Sequence, residues 1–159
     1  MLKYYNTWQF KHPNANDFFR IMEKTSGLEL DWFKEYFINT THYPDYAVKQ
    51  VGGDDDKTYI TLSKLGVMPM PVDLIVTYKD GSKSYVNIPL RIMRGNKESE
   101  FDNMHYILGE DWPWTHPEYQ LTLDFPLEQV SSVSIDPSGR MIDLNRTNNT
   151  WEAVQLEED

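Results

Sequence analysis

The chain of 159 residues contains no cysteine. This absence excludes disulfide bonds, thiolate metal ligands and thiol nucleophiles together. The sequence has no run of about 18 apolar residues, so it predicts no transmembrane helix. Residues 1–7 also lack the apolar stretch of a signal peptide.

Basic residues are few relative to acidic ones. The sequence contains 15 lysines and arginines but 25 aspartates and glutamates, which gives a formal net charge of −10 at pH 7. A chain this acidic repels phosphate backbones, so we expect no nucleic-acid partner. The same repulsion disfavours an anionic membrane surface, so we expect no membrane partner either. The 40% of apolar and 14% of aromatic residues are nevertheless typical of a folded domain.

Motifs for catalysis and metal binding are also missing. The sequence has no glycine-rich phosphate loop after a predicted strand and no Gly-x-Ser-x-Gly nucleophile elbow. The acidic residues 54–56 lack the ligand pattern of an EF-hand and are interpreted as a hydrated hairpin tip. Carboxylates at residues 98–111 could pair as in a glycosidase, but a solvated loop is the favoured interpretation. Helical metal-binding pairs are excluded by the spacing of the four histidines, His12, His42, His105 and His116. We therefore predict no catalytic and no metal-binding residue.

The pattern of apolar residues changes near residue 42. We predict a helical segment at residues 1–42 and a β-sandwich domain at residues 43–159. A first helix is expected between Asn14, a good N-cap, and Gly27, a good left-handed stop. A second helix is expected over residues 30–39, so the two form an α-helical hairpin. This hairpin is too small to form a hydrophobic core alone, so its apolar face must pack on another part of the protein or on a partner. That face comprises Phe18, Met22, Trp32, Phe33, Tyr36 and Phe37.

Short stretches of strand character follow the helical segment. Alternating or apolar runs predict strands at residues 46–51, 57–63, 72–78, 85–88, 119–123 and 130–135. Asp80-Gly81 favours a hairpin turn, and residues 136–139 favour another turn. Residues 95–117 are expected to be irregular, and residues 157–159 to be a solvated tail. The predicted fold is mainly β with an N-terminal helical hairpin, and its β domain is an antiparallel Ig-like β-sandwich of about seven strands.

Three aromatic residues near one end of the predicted sandwich allow two interpretations. Trp112, Trp114 and Tyr119 can form an aromatic platform that binds sugar or peptide. Alternatively, their rings cover the open end of the core. The second interpretation is favoured because buried aromatic residues outnumber binding platforms.

Two segments of the helical region resemble a known family. Residues 12–23 are His-Pro-Asn-Ala-Asn-Asp-Phe-Phe-Arg-Ile-Met-Glu, and residues 26–33 are Ser-Gly-Leu-Glu-Leu-Asp-Trp-Phe. Together they resemble the segment that closes the catalytic domain of M1-family zinc aminopeptidases, which are gluzincins. Residues 71–74, 78–81 and 88–90 resemble the β-sandwich that follows this domain, especially in members of the Bacteroidetes type.

The resemblance implies that this chain is a non-catalytic C-terminal part of such a peptidase. The family's zinc motif, His-Glu-x-x-His with a downstream Glu, does not occur here, and neither does its Gly-x-Met-Glu-Asn loop. No catalytic residue is therefore carried over, and the chain itself is expected not to be an enzyme. Zinc and the hydrolysis of peptides from their N-terminus are expected of the parent protein, which the resemblance places in the cell envelope or outside the cell.

The resemblance also implies a partner for the helical face, namely the missing catalytic domain of the same protein. In its absence we expect a homodimer through that face. One alternative is a free-standing Ig-like module that binds peptide or carbohydrate through the three aromatic rings. A small acidic hydrolase with a loop active site is a weaker alternative.

Overall fold

The computed structural model describes residues 1–154. The fold is mainly β and contains two sheets and three short α-helices. Within the described residues, no helix has the length and apolar character needed to cross a bilayer. The tail predicted at residues 157–159 lies outside the described part of the chain.

The helical segment contains three α-helices and one π-helical turn. These are α1 at Leu2–Trp8, α2 at Ala15–Ser26, α3 at Asp31–Phe33 and the π turn at Lys34–Ile38. The second predicted helix thus exists, but it changes from α to π geometry after its first turn. Helix α1 has no counterpart in the prediction because it has no side-chain N-cap and no buried residue to give it a sequence signal.

Both predicted ends of α2 are confirmed by hydrogen bonds. The Asn14 side chain accepts from the N–H groups of Asn16 and Asp17 at 2.9 and 3.2 Å. The Asp17 carboxylate accepts from the Asn14 N–H at 3.0 Å, which completes a capping box. Gly27 has a φ of 73°, and its N–H donates to the Glu23 carbonyl at 2.8 Å. The left-handed backbone at this position favours glycine and ends the helix.

Within residues 1–154, eight strands follow the helical segment. In chain order they are β1 at Tyr46–Gly53, β2 at Thr58–Lys64, β3 at Val72–Tyr78, β4 at Lys83–Ile88, β5 at His105–Leu108, β6 at Glu118–Leu123, β7 at Val130–Ile135 and β8 at Thr150–Glu152. The first sheet has the order β1-β2-β6, and the second has the order β5-β4-β3-β7-β8. Strands β3 and β7 have the predicted bounds, and the Asp80-Gly81 turn joins β3 to β4 with a φ of 84° at Gly81.

Strand β5 corrects the prediction in three ways. It lies inside residues 95–117, which the sequence predicts to be irregular, and it raises the number of strands from about seven to eight. It also pairs in parallel with β4, so the second sheet is mixed and not antiparallel. Its four residues are too few to show an alternation, and its pairing depends on a crossover connection that no local pattern reveals.

The two sheets share one apolar core. Its members are mostly aliphatic side chains on the facing sides of both sheets, including Ile60, Leu62, Val72, Leu74, Val76, Val86, Ile88, Val133 and Ile135. A second, smaller cluster joins Trp32 of the helical segment to Leu90 and Met93, which lie just after β4. The Trp32 side chain therefore helps to attach the helical segment to the two-sheet part, residues 43–154, together with the hydrogen bond from the Glu29 N–H to the Met93 carbonyl at 2.9 Å.

Candidate functional site

The predicted packing face of the helices does not form one exposed surface. Trp32 is buried against Leu90 and Met93 of the two-sheet part, and its indole N–H donates to the Glu29 carbonyl at 2.8 Å. Tyr36 also faces the two-sheet part, where its ring centroid lies 6.3 Å from that of Trp114. These two side chains therefore already have contacts within this chain.

The other members of the face form a continuous row of rings within the helical segment. Phe18 contacts Tyr4 and Phe19, with ring centroids 5.1 and 5.6 Å apart. Phe33 lies 6.4 Å from Phe19 and stacks on Phe37 at 4.7 Å. Met22 is half-buried on the same helix as Phe18. At the end of the row, Phe37 remains 43% exposed, so this end is open to a partner.

The structure separates Trp114 from the other two predicted platform rings, Trp112 and Tyr119. Trp112 is only 2% exposed, stacks on Tyr119 at 5.2 Å and meets Tyr46 edge-on at 5.5 Å. Burial, reinforced by the charge of Glu110, raises the pKa of Tyr119 to about 12. The Tyr119 hydroxyl donates to the Glu110 carbonyl at 2.9 Å. Trp112 and Tyr119 thus close one end of the core, and a platform made of all three rings is not formed.

Trp114 lies in a groove between the two parts of the chain. It is 37% exposed, and the groove has a volume of about 690 Å³. The helical wall of the groove carries Glu29, Asp31, Trp32, Glu35 and Tyr36, and the opposite wall carries Arg91, Ile92, Arg94 and Trp114. The sequence analysis singled out Trp114 for the platform and Trp32 and Tyr36 for the packing face, but it did not predict that they line one groove. The groove forms only when the helical segment packs on the two-sheet part.

The two walls of this groove carry opposite charges. Asp31, Glu35 and Glu29 lie on the helical wall, whereas Arg91 and Arg94 lie on the other. Within residues 1–154, neither arginine forms an ion pair. Of the three carboxylates, Glu35 accepts a hydrogen bond from the Asn39 amide at 3.1 Å. Both arginines are therefore available to donate to a bound molecule, whereas one Glu35 oxygen is already engaged by Asn39.

Three carboxylates approach one another near this groove. Glu23, Glu29 and Asp31 each bring one oxygen within 4.8 Å of the others. An oxygen-only set of this kind suits Ca²⁺ or Mg²⁺ better than zinc, which prefers nitrogen and sulfur ligands. One Glu23 oxygen accepts from the Leu30 N–H at 3.1 Å, so this carboxylate also has a structural role.

The outer face of the five-stranded sheet carries a buried polar cluster that the sequence analysis did not find. The Asn87 amide donates to one oxygen of Asp73 at 2.7 Å, and the Lys97 ammonium group pairs with the other oxygen. The Tyr85 hydroxyl is buried without a hydrogen-bond partner among the described residues. Burial, followed by the charge of Asp73, raises the pKa of Tyr85 above its usual value. The sequence does contain one signal for this cluster, because Asp73 and Asn87 are polar residues in otherwise apolar strands.

This cluster anchors residues 94–104 on the sheet. The Lys97 N–H donates to the Asn87 side chain at 3.4 Å, and the Tyr106 hydroxyl donates to the Lys97 carbonyl at 2.7 Å. Farther along the segment, Glu100 pairs with Arg140 at 2.8 Å. Since both Asp73 oxygens are occupied, the arrangement is suited to holding the segment in place and not to proton transfer.

Comparison with known proteins gives no relative for this chain. No family model, no curated protein and no solved structure matches it. The relation to M1-family aminopeptidases, and any function that follows from it, is therefore a proposal.

Proposed function

We propose that this chain is a non-catalytic C-terminal module of an M1-like zinc metallopeptidase. In this proposal residues 43–159 are an Ig-like β-sandwich domain, and residues 1–42 pack on the catalytic domain of the same protein. The observation that carries the proposal is the apolar surface of the helical segment. Its large exposed apolar side chains are Met1, Leu2, Tyr5, Phe10, Phe37 and Ile38.

The exposure of these side chains is physically costly. Phe10 is 99% exposed, Leu2 81% and Ile38 55%. Burial of one such side chain contributes about 1.5–3 kcal/mol, so several of them can hold a neighbouring domain in place. A contiguous exposed apolar patch marks a site of protein association, so the proposal requires these side chains to meet the partner as one surface.

Zinc in this proposal belongs to the parent protein. The motif His-Glu-x-x-His is absent from this sequence, and its histidines do not have the spacing of a helical zinc pair. When bound in the parent, zinc would polarise the scissile carbonyl and activate water, with the motif Glu as general base. The residues of this chain would contribute only packing and the position of the domain.

The deciding experiment is to sequence the native gene upstream of the codon for Met1. An in-frame His-Glu-x-x-His followed by a Glu supports the proposal. The same domain with its zinc ligands replaced supports a module of a pseudoenzyme. A stop codon just upstream of Met1 contradicts the proposal and favours a free-standing binding module.

The exposed helical surface also predicts self-association of the isolated chain. We expect a homodimer by light scattering at concentrations well above micromolar. The double substitution Phe37→Asp with Ile38→Asp should convert it to a monomer, because two charges then lie in the apolar contact. Ile142→Asp is the matched control, since Ile142 is 66% exposed but lies in the two-sheet part. A monomeric unmodified chain, or equal dissociation by the control, would contradict this interface.

A second candidate function is peptide or carbohydrate binding by a free-standing Ig-like module. It is supported by the pair Tyr36 and Trp114 in the groove and not by the three-ring platform. Quenching of tryptophan fluorescence by a ligand, lost on removal of Trp114, is the observation that favours it over the first.

A further inference from the structure

The groove between the helical segment and the two-sheet part is a candidate binding site of its own. We infer that it binds a neutral oligosaccharide, which contacts Asp31, Glu35, Tyr36, Arg91, Arg94 and Trp114. This inference does not depend on the metallopeptidase proposal, and it narrows the binding-module alternative to one ligand class.

The aromatic side chains provide the stacking surface. Trp114 is 37% exposed although it belongs to a groove whose inner wall includes the buried Trp32. Tyr36 lies 6.3 Å away with its ring tilted by 59° to that of Trp114. Two rigid rings with apolar faces can contact the C–H faces of a sugar at a low cost in conformational entropy.

The charges favour a neutral ligand that is rich in hydroxyl groups. Carboxylates accept hydrogen bonds and guanidinium groups donate them, and a hydroxyl can do both. The carboxylates of the helical wall oppose a polyanion, and Arg91 and Arg94 oppose a polycation. An uncharged oligosaccharide can form hydrogen bonds with both walls, and it brings no charge of its own that would be left unpaired.

The shape of the groove disfavours the peptide alternative. The lining residues come from α3 and Glu29 just before it, the π turn, residues 91–94 and the loop that holds Trp114. No strand edge lines the groove, so an extended peptide finds no backbone ladder to pair with. The volume of about 690 Å³ lies in the range of about 300–1,000 Å³ that is typical of ligand sites.

The test is titration of the full chain with four probes: cellohexaose, xylohexaose, maltohexaose and laminarihexaose. We expect at least one to quench tryptophan fluorescence saturably and to bind in calorimetry. Trp114→Ala should weaken this binding about tenfold, because large aromatic residues dominate binding energies. Tyr5→Ala is the control, since Tyr5 is 62% exposed but lies in α1, outside the groove.

Two further measurements separate this inference from its competitors. Binding should change less than about twofold between about 50 and 500 mM salt, because a neutral ligand carries no charge to screen. Asp31→Asn and Arg94→Gln should each weaken binding with the fold retained, as judged by circular dichroism. Failure of all four sugars to bind, or binding that is insensitive to Trp114→Ala, would overturn the inference.

The outcome is independent of the metallopeptidase proposal. An upstream zinc motif with no sugar binding overturns only the inference. Sugar binding with a stop codon upstream of Met1 overturns only the metallopeptidase proposal.

Discussion

The two-sheet part and the helical segment bury their apolar residues to different extents. In the two-sheet part, Ile60, Leu74 and Val86 have 0% exposure. In the helical segment, the best buried residues, Phe19 and Trp32, each keep 8% exposure. The sheets therefore enclose an interior, whereas the helices form a layer that rests on it. Since buried apolar area determines most of the local stability, the helical layer should open at a lower free energy than the sheets.

The largest expected effect tests the enclosed interior. Trp112→Ala should lower the free energy of unfolding by about 4 kcal/mol, because it leaves a cavity beside Tyr46 and Tyr119. It also removes the hydrogen bond from the indole N–H to the His116 carbonyl at 3.0 Å. Urea unfolding followed by near-ultraviolet circular dichroism measures the loss.

Trp114→Ala is the matched control for this substitution. The side chain is of the same type and lies two positions along the chain, but it is 37% exposed. Its removal should cost about 1 kcal/mol or less. Equal losses for the two variants would contradict the assignment of Trp112 to the core.

The second prediction concerns the attachment of the helical layer. Trp32→Ala should lower the stability of residues 1–42 by about 3 kcal/mol, since Trp32 provides the contact with Leu90 and Met93. Hydrogen exchange should become faster for the amides of α2 and remain slow for those of β3. Phe37→Ala, which removes a ring that is 43% exposed, should leave both rates nearly unchanged. Equal acceleration in α2 and β3 would show that the two parts unfold as one unit.

The sequence predicts the local features of both parts but not the long-range strand pairing. Residues 72–78 and 130–135 are strands with the predicted bounds, because runs of strand-forming residues are a local signal. The ends of α2 at Asn14 and Gly27 are equally local, since they depend on one cap and one left-handed residue. Strand β5 is not predictable in this way, because its place is set by pairing with β4.

The candidate site is less predictable than the fold. Trp112 and Trp114 have the same side chain and lie close in sequence, yet one is in the core and the other in the groove. The direction in which each tryptophan side chain points depends on tertiary packing. Composition carries no information about that packing. Arg91 and Arg94 reach the same groove only because the helical segment lies opposite them.

The third prediction tests the polar cluster on the outside of the two-sheet part. Lys97→Met should lower the free energy of unfolding by about 2 kcal/mol, because it leaves the buried Asp73 carboxylate without its cation. Limited proteolysis should then cut within residues 97–104. Lys83→Met is the control, since Lys83 is exposed and forms no ion pair within residues 1–154. If the protease leaves residues 97–104 of the Lys97→Met variant intact, other contacts hold this segment in place.

The smallest expected effect distinguishes helix formation from attachment. Asn14→Ala should destabilise α2 by about 1 kcal/mol, because the N–H groups of Asn16 and Asp17 lose their acceptor. Asn14→Asp keeps an acceptor at the same position and should restore most of the stability. If the helical layer opens separately, hydrogen exchange should become faster only in α2, by about fivefold, since 1.4 kcal/mol corresponds to about tenfold. The same acceleration in β3 would mean that the loosely buried layer and the enclosed sheets are one cooperative unit, in spite of their different packing.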